Sequence, residues 1–109
     1  MANYIFIETR DPFDSADTRF VAETAAALRQ RGNDVTIFLL QNGTFAARQN
    51  GRESNLSRMA QAGVRILADD FSLRERGIQQ GELAPGIEPS SIETLVDSLM
   101  QENTKAIWH

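Results

Sequence analysis

Apolar residues in this chain fall into short uncharged runs, separated by stretches in which they recur at threes and fours, and that alternation predicts strands interleaved with helices. Tyr4 to Ile7 reads as a first strand. Val35 to Leu40 (VTIFLL) and Val64 to Ala68 read as a second and third, buried on both faces because neither alternates with polar residues. A short edge strand is expected near Ile87, and Thr104 to Trp108 (TKAIW) forms the last. The first helix is opened by Asp14 or Ser15. It carries Ala16, Phe20, Val21, Thr24, Ala27 and Leu28 on its inner stripe, Arg19, Glu23, Arg29 and Gln30 outside, and stops at Gly32. Ser54 caps a helix over Asn55 to Ala62 with Leu56, Met59 and Ala60 inward, and Gly63 closes it. Another helix spans about Phe71 to Arg76. The last follows Ser90 or Ser91 and repeats Ile92, Leu95, Val96 and Leu99. This order predicts one three-layer α/β/α domain over residues 1–109, built on a parallel sheet.

The breaks between elements locate a candidate site. Asn42-Gly43 follows the second strand, where a glycine lets backbone approach a ligand closely, so both residues are pocket candidates. Phe45 to Ala47 suggests a short helical turn, and Asn50-Gly51 ends it. The apolar content from Phe45 to Met59 fits an interface or a core equally well. Gly63 to Ile78 (GVRILADDFSLRERGI) organises the chain: a buried strand ends in Asp69 and Asp70, and an arginine-bearing helix follows. Ligands in open α/β sheets gather at that carboxyl edge. Asp70 reads as the cap of the helix at Phe71, and Asp69 as the site candidate. Neighbouring residues on a strand point to opposite faces, so the two carboxylates share a metal or acid–base task only if the chain turns between them. Arg74 and Arg76 form either an anion site or a solvated helix face.

Composition removes several classes of function. The 109 residues contain no cysteine, which excludes a disulfide framework, a thiolate nucleophile and any thiolate metal site on this chain. The single histidine, His109, reads as a frayed end beside Trp108, so neither a multi-histidine metal site nor an internal Ser-His-Asp triad can be assembled. No GxGxxG or GxxxxGK pattern is present, and the one lysine is Lys105. No cofactor and no metal are assigned. A formal net charge of -4 argues against nucleic-acid binding. No apolar run could cross a bilayer and the amino terminus lacks a signal-peptide pattern, so a soluble cytoplasmic protein is expected.

The opening YIFIETRDPFD, the segment GNDVTIFLLQNGTFAAR and above all AGVRILADDFSLRERGI resemble the DsrE/DsrF-like family of sulfur relay and sulfur oxidation. The resemblance covers nearly the whole chain, and its most specific part is the run from Ser72 to Ile78. It implies a five-stranded parallel sheet in the order 4-3-2-1-5 and assembly into trimers or hexamers with like or related subunits. Members of the family typically carry a persulfide-accepting cysteine just after the third strand. An ungapped match through Gly63 and the Arg76-Gly77-Ile78 ending puts Asp69 at that position, and a carboxylate cannot form a persulfide.

Three readings follow. The leading one is a non-catalytic subunit, structural or regulatory in a sulfur-metabolism-related assembly, formed as a homo-oligomer or with related subunits. The second is a small-anion or small-ligand binding protein using a pocket made from Asp69, Asp70, Asn42, Gly43, Arg74 and Arg76. The third is a metal-dependent enzyme built on Asp69 and Asp70.

Overall fold

A computed structural model describes residues 2–11, 17–48 and 56–109. Five strands, β1 (Asn3–Glu8), β2 (Asp34–Leu39), β3 (Arg65–Asp69), β4 (Ile87–Ser90) and β5 (Thr104–Trp108), form one sheet in the order β4-β3-β2-β1-β5. Every neighbouring pair is parallel. Four α-helices alternate with the strands: α1 (Asp17–Gln30), α2 (Leu56–Gln61), α3 (Asp70–Glu75) and α4 (Ile92–Leu99). Short 3-10 helices cover Gln41–Ala47 and Gln80–Glu82. The expected strand order and parallel sense are therefore those observed.

The uncharged runs became central strands because both of their faces are covered. In β2, Val35, Ile37, Phe38 and Leu39 are all buried, and in β3 the same holds for Ile66, Leu67 and Ala68. Side chains alternate between two clusters. Phe6, Val35, Ile37, Leu39, Ile66 and Ala68 pack against Val21 and Ala25 of α1, Leu56 and Met59 of α2, and Leu73 of α3. Ile5, Ile7, Phe38 and Leu67 face the other way, where Leu95 of α4 is the one helical member of the cluster among the described residues. At about 25 cal/mol per Å² of apolar area, each fully buried side chain of this kind stabilises the fold by about 1.5–3 kcal/mol. The edge strand near Ile87 is β4, and Pro89 is tolerated there because β4 has a neighbour on one side only.

Several expected details shift. The inward face of α1 keeps Val21 and Leu28 of the predicted stripe and adds Ala25, whereas Phe20 is 68% exposed and Ala27 is exposed. The choice between Asp14 and Ser15 as its cap, with Ala16, falls outside the described residues, as do the Asn50-Gly51 break and the Ser54 cap. The described part of Phe45 to Met59 belongs to the core, with Ala47, Leu56 and Met59 buried and Phe45 and Ala46 packed against the same cluster. Ser91 is the cap of α4, its side chain accepting the Thr94 N–H. His109 is not frayed: its backbone N–H donates to the Ile7 carbonyl, its carbonyl accepts from Thr9 N–H, and its ring reaches Glu8.

Candidate functional site

The carboxyl end of β3 runs into α3 without a loop, and this abutment fixes the roles of the two aspartates. Asp69 ends the strand with extended backbone (φ -61°, ψ 121°), and the helix begins at Asp70. The cap is consequently Asp69, not Asp70 as the sequence suggested, because the helix starts one residue earlier than the apolar pattern implied. Asp69 Oδ2 accepts the Ser72 N–H at 2.9 Å and the Ser72 Oγ–H at 2.7 Å. Ser72 Oγ in turn accepts the Gln41 N–H at 2.9 Å. This chain of donors ties the turn after β2 to the end of β3, and its Ser72–Asp69 link is buried. Gln41 itself stands in the left-handed region (φ 54°), which side-chain-bearing residues enter at a cost of about 1–2 kcal/mol.

Beside this network lies an open cleft of about 710 Å³ between α3 and the start of α4. Asp69, Asp70, Arg74 and Arg76, four of the six candidate residues, line it, together with Phe71, Ile92 and Glu93. Asn42 stands next to the cleft, where its Oδ1 accepts from Arg76 Nε at 3.1 Å. Arg76 also reaches the Ser72 carbonyl and lies over the Phe45 ring, so its guanidinium is engaged by protein groups. Arg74 is exposed on α3. Gly43 is elsewhere. It is buried, and a Cβ there would meet the Glu8 carbonyl oxygen at 2.1 Å, so the close backbone approach that its sequence position signalled is made to β1.

The two aspartates stand in different settings. One oxygen of Asp69 is committed to Ser72, its Oδ1 is buried without a hydrogen-bond partner among the protein atoms, and Asp70 is half-buried on the first turn of α3. Among the described residues no three His, Asp or Glu side chains gather into a cluster that could hold a metal ion.

Two features escaped the sequence. Asp69 and Ser72 are spaced as a cap and its third helical residue, a signal that was present but was assigned one residue late. The second feature joins Glu8 and His109. Glu8 is buried at the carboxyl end of β1; its Oε1 accepts the Arg10 N–H at 3.0 Å, and both carboxylate oxygens lie 2.9 Å from His109 Nδ1. Only the β1–β5 pairing brings these residues together.

A small parallel α/β domain with its cleft beyond the carboxyl ends of the strands is the class of protein that this geometry defines. Residues 2–107 match the model of the DsrE/DsrF-like family, and the chain belongs to that family. Two solved structures are similar over the full length of both chains at 19% identity: the ychN protein from E. coli, with a TM-score of 0.85, and MTH1491 from Methanobacterium thermoautotrophicum, a protein of unknown function, with a TM-score of 0.77. No curated protein matches the sequence. Among the described residues no helix is long and apolar enough to cross a membrane.

Proposed function

We propose that this chain is a non-catalytic, cytoplasmic DsrE/DsrF-like subunit, structural or regulatory in a sulfur-metabolism-related assembly of like or related chains, and unable to carry persulfide sulfur itself. One observation carries the reading. At the strand end where the family places its nucleophile stands Asp69, a buried carboxylate spent on capping α3, in a chain without cysteine. Sulfur relay needs a thiolate that can attack a donor and be attacked in turn, and neither a carboxylate nor a methionine thioether offers that chemistry.

The test restores the thiol. Intact-protein mass spectrometry after incubation with a persulfide donor and desalting is expected to show no sulfur adduct on the natural chain. Asp69→Cys is expected to gain one sulfur atom slowly, because the Asp70 carboxylate beside it disfavours the thiolate. A reductant-sensitive adduct on the natural chain would overturn the reading, and an unreactive Asp69→Cys would remove the positional match.

A second reading, small-ligand binding in the cleft, draws on the unpartnered Asp69 Oδ1. Four carboxylates (Asp69, Asp70, Glu75, Glu93) line the cleft against two guanidinium groups, so a ligand bearing N–H donors suits it better than an anion. A rise in melting temperature with a small diamine but not with sulfate, lost in Asp69→Asn, would favour this reading over the first.

A further inference from the structure

The negative charge of the chain is not spread evenly. Residues 77–104 hold five carboxylates (Glu82, Glu88, Glu93, Asp97 and Glu102) and no arginine or lysine, while the remainder, with ten acidic and eleven basic side chains, is nearly neutral. This acidic quarter contains α4, and α4 with the residue that ends it holds four of the eight exposed large apolar side chains among the described residues (Ile92, Val96, Leu99 and Met100). Ile92 is 44% exposed, Val96 51% and Met100, the residue that ends the helix, 81%. Their i, i+4, i+8 spacing puts them on one stripe. Leu95, turned toward the sheet, is buried, while Glu93 and Asp97, each one position beyond a stripe residue, flank its outer margin.

The stripe does not stop at the helix. Ile92 and Phe71, the latter 58% exposed, line the same cleft, so apolar surface continues from α4 to the start of α3. The sheet beneath contributes on both flanks. Glu88 pairs in register with Leu67, and Trp108 with Ile7, so both project from the face that α4 covers. One helix is only about 10–12 Å across, whereas the outer strands of a five-stranded sheet lie about 19 Å apart. Trp108 is accordingly left 66% exposed.

We propose that the α4 stripe, continued by Phe71, docks a partner protein that presents an apolar helix face framed by lysine or arginine side chains. The apolar residues supply contact area, and the carboxylates select the sign of the partner, steering its approach and rejecting acidic surfaces. A second copy joined through the same stripe about a two-fold axis does not fit, since Glu93 and Asp97 would face their own counterparts. The proposal rests on the reading of this chain as a subunit that works by association, and it adds the chemistry of the associate.

The probe is an 18-residue amphipathic peptide of leucine and lysine, with a leucine and glutamate peptide of the same apolar pattern as its control. Each is labelled and titrated with the full chain by fluorescence anisotropy. The lysine peptide is expected to bind saturably and to weaken on going from about 0.05 M to about 0.3 M salt, where exposed charges are screened. Val96→Asp and the double change Glu93→Lys with Asp97→Lys should each weaken it about tenfold or more. Glu23→Lys, an exposed change on α1 against the opposite side of the sheet, should leave binding unaltered. All these positions are exposed, and circular dichroism verifies that each variant is folded.

Equal binding of the glutamate peptide, no binding of either peptide, or binding insensitive to the α4 variants would overturn the proposal. So would sedimentation showing that the natural chain self-associates and that Val96→Asp abolishes this, which would assign the stripe to a second copy. Sulfur uptake by the natural chain, with peptide docking intact, would instead defeat the non-catalytic reading alone.

Discussion

Ser72 Oγ donates a 2.7 Å hydrogen bond to Asp69 Oδ2 while accepting the backbone N–H of Gln41, so one hydroxyl serves both the cap of α3 and the turn after β2. Removing it leaves the part-buried Gln41 N–H and a buried carboxylate each short of a partner, and such losses cost up to about 1–3 kcal/mol apiece. Ser72→Ala is therefore expected to destabilise the chain by about 2–4 kcal/mol in urea unfolding. Asp69→Ala should cost at least the ~1 kcal/mol of a lost cap, and Asp69→Asn less, because an amide oxygen still accepts the Ser72 N–H.

Glycine at two sites offers a comparison of steric and backbone effects. At Gly43 an added methyl group collides with the Glu8 carbonyl oxygen, which is part of the sheet and cannot yield. At Gly77 (φ 67°) nothing lies within 4 Å, and only the left-handed backbone opposes a side chain. Gly77→Ala should cost about 1–2 kcal/mol. Gly43→Ala should cost about 3 kcal/mol or more, since a rigid clash exceeds ordinary overpacking. Equal losses in chemical denaturation would contradict the close packing of residue 43 on β1.

The Glu8–His109 contact makes a separate prediction. With His109 replaced by alanine, Glu8 retains the Arg10 N–H but loses the ring that both of its oxygens approach. A loss of about 1–3 kcal/mol is expected, the range for a buried group left short of a hydrogen-bond partner. Glu8→Ala combined with His109→Ala should cost less than the sum of the two single changes. Strict additivity in a double-mutant cycle would show that the pair is not coupled.

Assembly is tested by mass in solution. If the chain keeps the habit that its family resemblance implies, sedimentation at micromolar concentration should report a trimer or larger, and each interface should bury more than about 1,000 Å². A monomer would remove the homo-oligomeric form of the proposal and leave association with other chains.

How far the sequence reached depended on how local the signal was. VTIFLL and GVRIL announced central strands because an uncharged, β-branched run can satisfy little else, and the family resemblance then supplied their order. The inner stripe of α1 was legible at Val21 and Leu28 but not elsewhere, because Ala22, Ala25, Ala26 and Ala27 place small residues on several faces, leaving tertiary packing to choose Ala25 over Phe20 and Ala27. Four candidate residues did line one cleft, since all lie within eight positions at one strand end. Gly43 did not, because a glycine signals close approach without saying to what. The Glu8–His109 pair spans 101 positions and has no local signature at all.

The position of β1 in the sheet has a consequence for biosynthesis. β1 is the first strand of this sheet to be synthesised, yet one of its two neighbours is β5, made about a hundred residues later. At 5–20 residues per second, the edge of β1 that β5 will cover stays open for roughly 5–20 s while β2, β3 and β4 emerge on the other side. An open edge beside Ile5, Phe6 and Ile7 is a template for pairing between nascent chains. Polysomes crowded with this message would therefore be the place where the protein is most prone to aggregate, before its last five-residue strand closes the sheet.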